Sequence, residues 1–101
     1  MADRVELQAY LEKILGSENV YYQPPSNVKM EYPAIKYDLN DVYKSYAGDK
    51  VYRSRRQYQL IIIDRAPDHP VIDKLLQIPG CEFGRTYKAD NLYHCVLTLY
   101  Y

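Results

Sequence analysis

A chain of 101 residues supports one modest core, burying about two-thirds of the surface its unfolded form exposes, and is too short for two ordinary domains. Thirteen basic and thirteen acidic residues cancel, which removes the overall field that draws a protein to DNA, RNA or an anionic membrane. Hydrophobic residues make up 48% of the chain and thirteen of them are tyrosines, each a large contact area carrying a hydroxyl that wants a partner. Such residues belong at a core margin or at an interface, where they are enriched.

The opening Met1-Ala2-Asp3-Arg4 lacks the basic-then-apolar pattern of a secretory leader, and the longest apolar run, Leu60 to Ile63, is too short to cross a bilayer. A cytoplasm-like compartment with no membrane contact is expected. The first predicted element is a helix from Asp3 to Leu15. Leu7, Leu11, Ile14 and Leu15 recur on one side near a period of 3.6, Val5 lies off that stripe, and Gly16 supplies a C-terminal cap. Val20 to Gln23 reads as a short extended piece ended by Pro24-Pro25. Ser26 to Pro33 holds no period, and Pro33 biases Tyr32 toward extended geometry. Ala34 to Leu39 then forms a strand with Ile35, Tyr37 and Leu39 on one face.

Asn40 to Ser54 has no core pattern, and Ala47-Gly48-Asp49 within it is a turn signal. Two readings stay open: a long arm or loop that orders on a partner, or a hairpin with strands Val42 to Tyr46 and Lys50 to Arg55. In either, Tyr43, Tyr46 and Tyr52 alternate with charge and face solvent in a lone monomer.

Gln57 to Asp64 is the clearest strand. Its apolar run is mostly β-branched and needs cover on both faces, which makes it central in a sheet. A second helix runs to about Gln77, capped by Asp68, with Pro70 tolerated in its first turn. Val71, Ile72, Leu75 and Leu76 form its buried stripe, and Pro79-Gly80 stops it. The chain ends in a hairpin. A two-residue turn at Asp90-Asn91 would mix core and solvent residues on both faces. A three-residue loop, Ala89-Asp90-Asn91, instead sets Phe83 opposite Leu97, Cys81 opposite Leu99 and Tyr87 opposite Tyr93, and is the register expected. It separates Cys81 from Cys95 by roughly 13 Å along one face, beyond disulfide reach.

The economical assembly of these elements is α+β: a mostly antiparallel or mixed β-sheet covered by two α-helices, with a Tyr/Arg-rich loop or hairpin arm. The second face of the central strand calls for another layer, supplied by the tyrosine-rich segment or by another subunit.

No catalytic, cofactor or metal site is expected. His69 near Asp64 resembles a general base beside an orienting carboxylate, but is read as a first-turn helix residue; His94, on the face opposite Cys95, is read as sheet surface. Two histidines and two cysteines without close ligand pairs match no zinc spacing. Asp38 and Asp41 are ordinary solubilising carboxylates at a strand end. No phosphate loop, nucleophile elbow or metalloprotease helix is present. The basic group Lys50, Arg53, Arg55 and Arg56, interleaved with Tyr52 and Tyr58, is a weak match to a surface that stacks bases and neutralises phosphates. It fits salt bridges to Glu31, Asp38, Asp41 or Asp49 of a neighbouring copy better. The candidate interface is therefore Tyr43, Tyr46, Lys50, Tyr52, Arg53, Arg55 and Arg56.

Three runs carry a family texture: Tyr21 to Ile35 (YYQPPSNVKMEYPAI), Pro67 to Pro79 (PDHPVIDKLLQIP) and Tyr87 to His94 (YKADNLYH). They resemble the small neck and tail-completion proteins of long, non-contractile-tailed bacteriophages, known as minor capsid or tail terminator proteins. The resemblance covers most of the chain after the first helix and contains no chemical signature. It implies a structural ring subunit, hexameric in that family, at the head-proximal end of the tail tube. Its implied partners are further copies of itself, the tail-tube protein and a head-completion or connector protein. Its implied place is the virion neck or tail, with assembly in the host cytoplasm. A head-side stopper or connector adaptor is the alternative, followed by a small nucleic-acid-binding module; nucleic acid is not expected as a specific ligand.

Overall fold

The structure, a computed structural model, describes residues 4–25, 29–48 and 50–101, and within its strands it describes residues 43, 45–47 and 50–54 by backbone alone. Asp3 of the expected first helix, residues 26–28 of the irregular stretch and Asp49 of the turn lie outside the described residues. The elements are α1 (Arg4–Leu15), β1 (Val20–Tyr22), β2 (Ala34–Ala47), β3 (Lys50–Asp64), α2 (Val71–Leu76), β4 (Cys81–Ala89) and β5 (Leu92–Tyr100). One five-stranded sheet has the order β1-β2-β3-β5-β4, with β1 parallel to β2 and every other pair antiparallel. The fold is α+β with a mixed sheet, and the apolar run of β3 lies in its middle strand.

Register explains the core. Ile62 stands between Ile35 and Cys95, and Leu60 between Tyr37 and Leu97, so successive rows of the sheet present apolar groups to the same side. Leu7 and Leu11 of α1 and Val71 and Leu75 of α2 close over those rows in a single cluster. The α1 stripe follows the predicted period, and Val5, off that stripe, is exposed. Tyrosine contributes to this core directly: Tyr37 and Tyr58 are almost fully buried.

On the opposite face, Ile63 and Val96 are buried and Ile61 is half-buried. The expected second layer from the tyrosine-rich segment is not formed. That segment instead continues β2 and β3 in line, pairing from Asp41 with Gln57 to Ala47 with Lys50. The reason is the backbone: folding the segment back would break this ladder and leave its amide groups to be satisfied elsewhere. The molecule is correspondingly long, 51 × 27 × 23 Å, with a radius of gyration of 14.6 Å, against about 13 Å for a rounded domain of this size.

Two local expectations are corrected. Asp68 does not cap α2. Pro70 precedes the helix with no side-chain cap, and the Val71 amide donates instead to His69 Nδ1 at 3.0 Å. Proline has no amide hydrogen, so the first donor in need of an acceptor is Val71, within reach of the side chain two residues earlier.

The terminal hairpin turns through Asp90 and Asn91 alone, both at positive φ (53° and 60°), as a two-residue primed turn requires. Phe83 nevertheless faces Leu97 and Cys81 faces Leu99, as the three-residue loop had predicted, whereas Tyr87 faces His94 and not Tyr93. A β-bulge reconciles these facts. Pairing steps from Phe83 to Arg85 against a single step on β5, so Gly84 is the extra residue that restores the Phe83–Leu97 and Cys81–Leu99 pairs; Cys81 packs against the core, while Phe83 stays 56% exposed. Only glycine fits at the bulge, since a Cβ would lie 2.8 Å from the Val96 carbonyl oxygen.

Candidate functional site

Two surfaces at opposite ends of β3 combine exposure with chemical character. The first is the distal half of the β2–β3 hairpin. β5 accompanies β3 only from Asp64 to Gln57, and Tyr101 adds one further reciprocal pair of backbone bonds with Arg56, at 2.9 and 3.3 Å. Beyond that point, among the described residues, β2 and β3 pair only with each other. The junction is braced by polar groups. Gln57 Nε2 donates to the Tyr100 hydroxyl at 2.8 Å, Asn40 Nδ2 donates to Gln57 Oε1 at 2.6 Å, and the Arg55 guanidinium lies 5.2 Å from the Tyr100 ring centre.

All seven residues of the sequence-derived interface fall on this distal hairpin or at its base. Register sets Tyr43 opposite Arg55, Val42 opposite Arg56, Ser45 opposite Arg53 and Ala47 opposite Lys50, with Tyr52 the extra residue of a bulge. The side chains of Tyr43, Tyr46, Lys50, Tyr52 and Arg53 lie outside the described residues. Arg55 and Arg56 are exposed. Strand alternation puts Arg56 on the same side of the sheet as Tyr58, hence on the helix-bearing side, together with Val42 and, two residues on, Lys44. Leu39 is 37% exposed and Val42 39%, so this side presents two apolar residues beside two cations.

The second surface is a groove of about 310 Å³ at the other end of β3, between the 64–69 connection, α2 and the ends of β4 and β5. Ile62, Ile72 and Cys95 give it apolar walls, with Ala66 and Pro67 of the connection, and Asp64, Asp68, His69, Thr86, Tyr93 and His94 complete the lining. His94 also lines the groove, but its pairing with Ile63 puts its side chain on the face of the sheet opposite His69 and α2. His69 Nδ1 accepts the α2 amide, which assigns the proton of the neutral ring to Nε2; His94 Nδ1 lies 3.2 Å from the Leu92 carbonyl oxygen, which assigns its proton to Nδ1. The His94 ring stacks on Tyr87 with centroids 4.6 Å apart and planes 9° apart, and the Arg85 guanidinium stands 5.0 Å from the Tyr87 ring centre. Burial pushes the Cys95 thiol pKa up, favouring the protonated form over the reactive thiolate. Cys81 is raised chiefly by burial too, with smaller contributions from Cys95 and Glu82, and both cysteines are free.

The sequence reading missed this groove as a unit. The usable signal was register: once β3 and β5 pair, Asp64 must sit beside Tyr93, and the 65–70 connection must pass over that end of the sheet.

A third feature is a tyrosine cluster under α1. Tyr22, Tyr37 and Tyr58 have centroids 4.9 to 6.4 Å apart, and the Arg4 guanidinium lies 4.6 Å from the Tyr22 ring centre. The Tyr37 hydroxyl donates to Gln8 Oε1 at 2.5 Å, and Gln8 Nε2 donates to the Val20 carbonyl at 3.0 Å. This network tethers α1 to β1 and β2, and its depth marks it as structural.

Among the described residues, no group of three or more His, Cys, Asp or Glu is placed to hold a metal ion, and no helix is long and apolar enough to cross a membrane. No protein-family model matches the chain, and no curated protein does.

Proposed function

We propose that the chain is a structural subunit of a bacteriophage neck, forming a ring at the head-proximal end of the tail, ending tail-tube growth and joining tail to head. The observation that supports this most is the run of β2 and β3 past the last residues of β5. A two-stranded arm that leaves its own domain, with exposed Leu39 and Val42 beside Lys44 and Arg56, is suited to contact with another protein. The arm's backbone is already paired in the single chain, so docking need not meet the full ordering cost of an unstructured loop. Tyr43, Tyr46, Lys50, Tyr52, Arg53, Arg55 and Arg56 are the residues assigned to this contact. A hexamer, the tail-tube protein and a connector or head-completion protein are the partners that the family resemblance suggests.

The test is oligomeric mass, measured for the free protein over a range of concentrations and again on purified tail-tube ends. Multimers or stable tube-end binding are expected. A chain that stays single in both settings defeats the proposal. Virions assembled without the protein then separate the roles: abnormally long tails indicate a terminator, and tails of normal length that fail to join heads indicate a stopper or adaptor.

A further inference from the structure

We infer that the β2–β3 arm of one copy seats in the α2 groove of the next, so that subunits join head to tail. The inference rests on the ring-subunit reading above and specifies the contact that would build the ring. Its first support is geometric. The arm tip and the groove lie at the two ends of one strand: β3 begins at Lys50 beside the turn and ends at Asp64 in the groove wall. Fourteen residue steps at strand rise span about 46 Å, nearly the full 51 Å length of the molecule. The arm residues that would seat there start nearer, Leu39 beside Tyr58 and Val42 beside Arg56. These lie six and eight residues from Asp64, or about 20 and 26 Å along a paired strand. That is still too far to fold onto their own groove, so an arm–groove contact joins two copies.

The second support is chemical fit. The groove has apolar walls at Ile62, Ile72 and Cys95 with the carboxylates of Asp64 and Asp68 beside them, and Asp73 lines an adjoining hollow with Asp68. The helix-side face of the arm offers the converse pattern, exposed Leu39 and Val42 next to Lys44 and Arg56. Arg65 lines a different hollow with residues 29–32, while Lys88 stands at the groove edge with its ammonium 5.2 Å from the ring centre of Tyr93, a groove residue. Apolar area would supply affinity, while the charges would fix orientation and exclude arm-to-arm pairing. Because arm and groove are different surfaces, the contact is heterologous, the kind that closes into a ring or runs on as a filament.

Charge exchange tests the pairing. One variant carries Lys44→Glu and Arg56→Glu; the other carries Asp64→Lys and Asp68→Lys. Because Asp64 Oδ1 accepts the Arg65 amide, Asp68→Lys alone serves as the groove variant if the double substitution melts early. Sedimentation of each variant by itself should show self-association weakened by about tenfold or more. An equimolar mixture should recover it, since each acidic arm then meets a basic groove and each basic arm an acidic one. If the wild type associates while the variants do so equally well, or if mixing restores nothing, this contact is wrong and the ring reading stands. A wild type that stays single at every concentration and on tube ends removes both.

Discussion

The β2–β3 hairpin has two halves that share a backbone ladder and little else. In the proximal half, Ala34–Leu39 and Gln57–Asp64 are flanked by β1 and β5, and their rows carry Ile35, Leu60 and Ile62 into the core. In the distal half the ladder continues to Ala47 and Lys50, but the third strand has stopped and the described apolar residue, Val42, is exposed. Strand pairing therefore does not require burial, since the backbone bonds are indifferent to side chains. Energy does require it, because apolar area removed from water is what stabilises a domain. The proximal half specifies the fold, and no described side chain of the distal half joins the core.

The largest test of that division is a pair of truncations. Leu60→Ala removes a fully buried side chain from the central strand and should cost about 2–5 kcal/mol of unfolding free energy. Val42→Ala, on the distal half, should stay within about 0.5 kcal/mol. Urea unfolding of both measures the difference, and comparable losses would mean that the distal hairpin is as integral to the domain as the sheet.

Two glycines sharpen the comparison at a smaller scale. Gly84→Ala drives a Cβ against the Val96 carbonyl oxygen at 2.8 Å, a main-chain atom that can move only by disturbing the bulge, and should cost about 1–3 kcal/mol. Gly48→Ala, at the hairpin turn, meets nothing within 4 Å and pays only for a left-handed φ of +67°, about 1 kcal/mol. Hydrogen exchange should localise the first effect to β4 and β5 and the second to the distal strands. A Gly84→Ala protein as stable as wild type would show that the bulge can move elsewhere.

What the sequence made legible follows the same divide. The stripe of α1, the stripe of α2 and the central place of Leu60–Ile63 were all readable because burial writes a period into apolar residues. Asn40 to Ser54 carries no such period, its described side chains Asn40, Asp41, Val42 and Lys44 are exposed, and its two long strands were visible only as one of two alternatives. The bulge at Gly84 was hidden for a different reason. Rejecting the Asp90-Asn91 turn was sound if the strands were regular, and one glycine undid that premise while preserving the Phe83–Leu97 register. The parallel pairing of Val20 with Ile35 and the groove joining Asp64 to Tyr93 depend on contacts distant in sequence, for which no local pattern exists.

Tyrosine gives the finest test, because the same residue type occurs buried and exposed. Tyr37→Phe deletes the hydroxyl that donates to Gln8 and accepts from Arg4, at a cost of about 1–2 kcal/mol at neutral pH; Tyr10→Phe, on the exposed side of α1, should cost almost nothing. Burial raises the Tyr37 pKa above its ordinary 10.0, with the Arg4 hydrogen bond opposing in part. The unfolded chain therefore releases this proton first as pH rises, and above about 10 it binds fewer protons than the folded one. The stability contributed by Tyr37 is complete below that pH and declines above it, through the raised folded pKa. The gap between wild type and Tyr37→Phe should accordingly narrow in alkaline denaturant titrations. A Tyr37→Phe gap that is constant with pH would place the hydroxyl in water, and with it would fall the claim that tyrosine serves this molecule in two distinct ways.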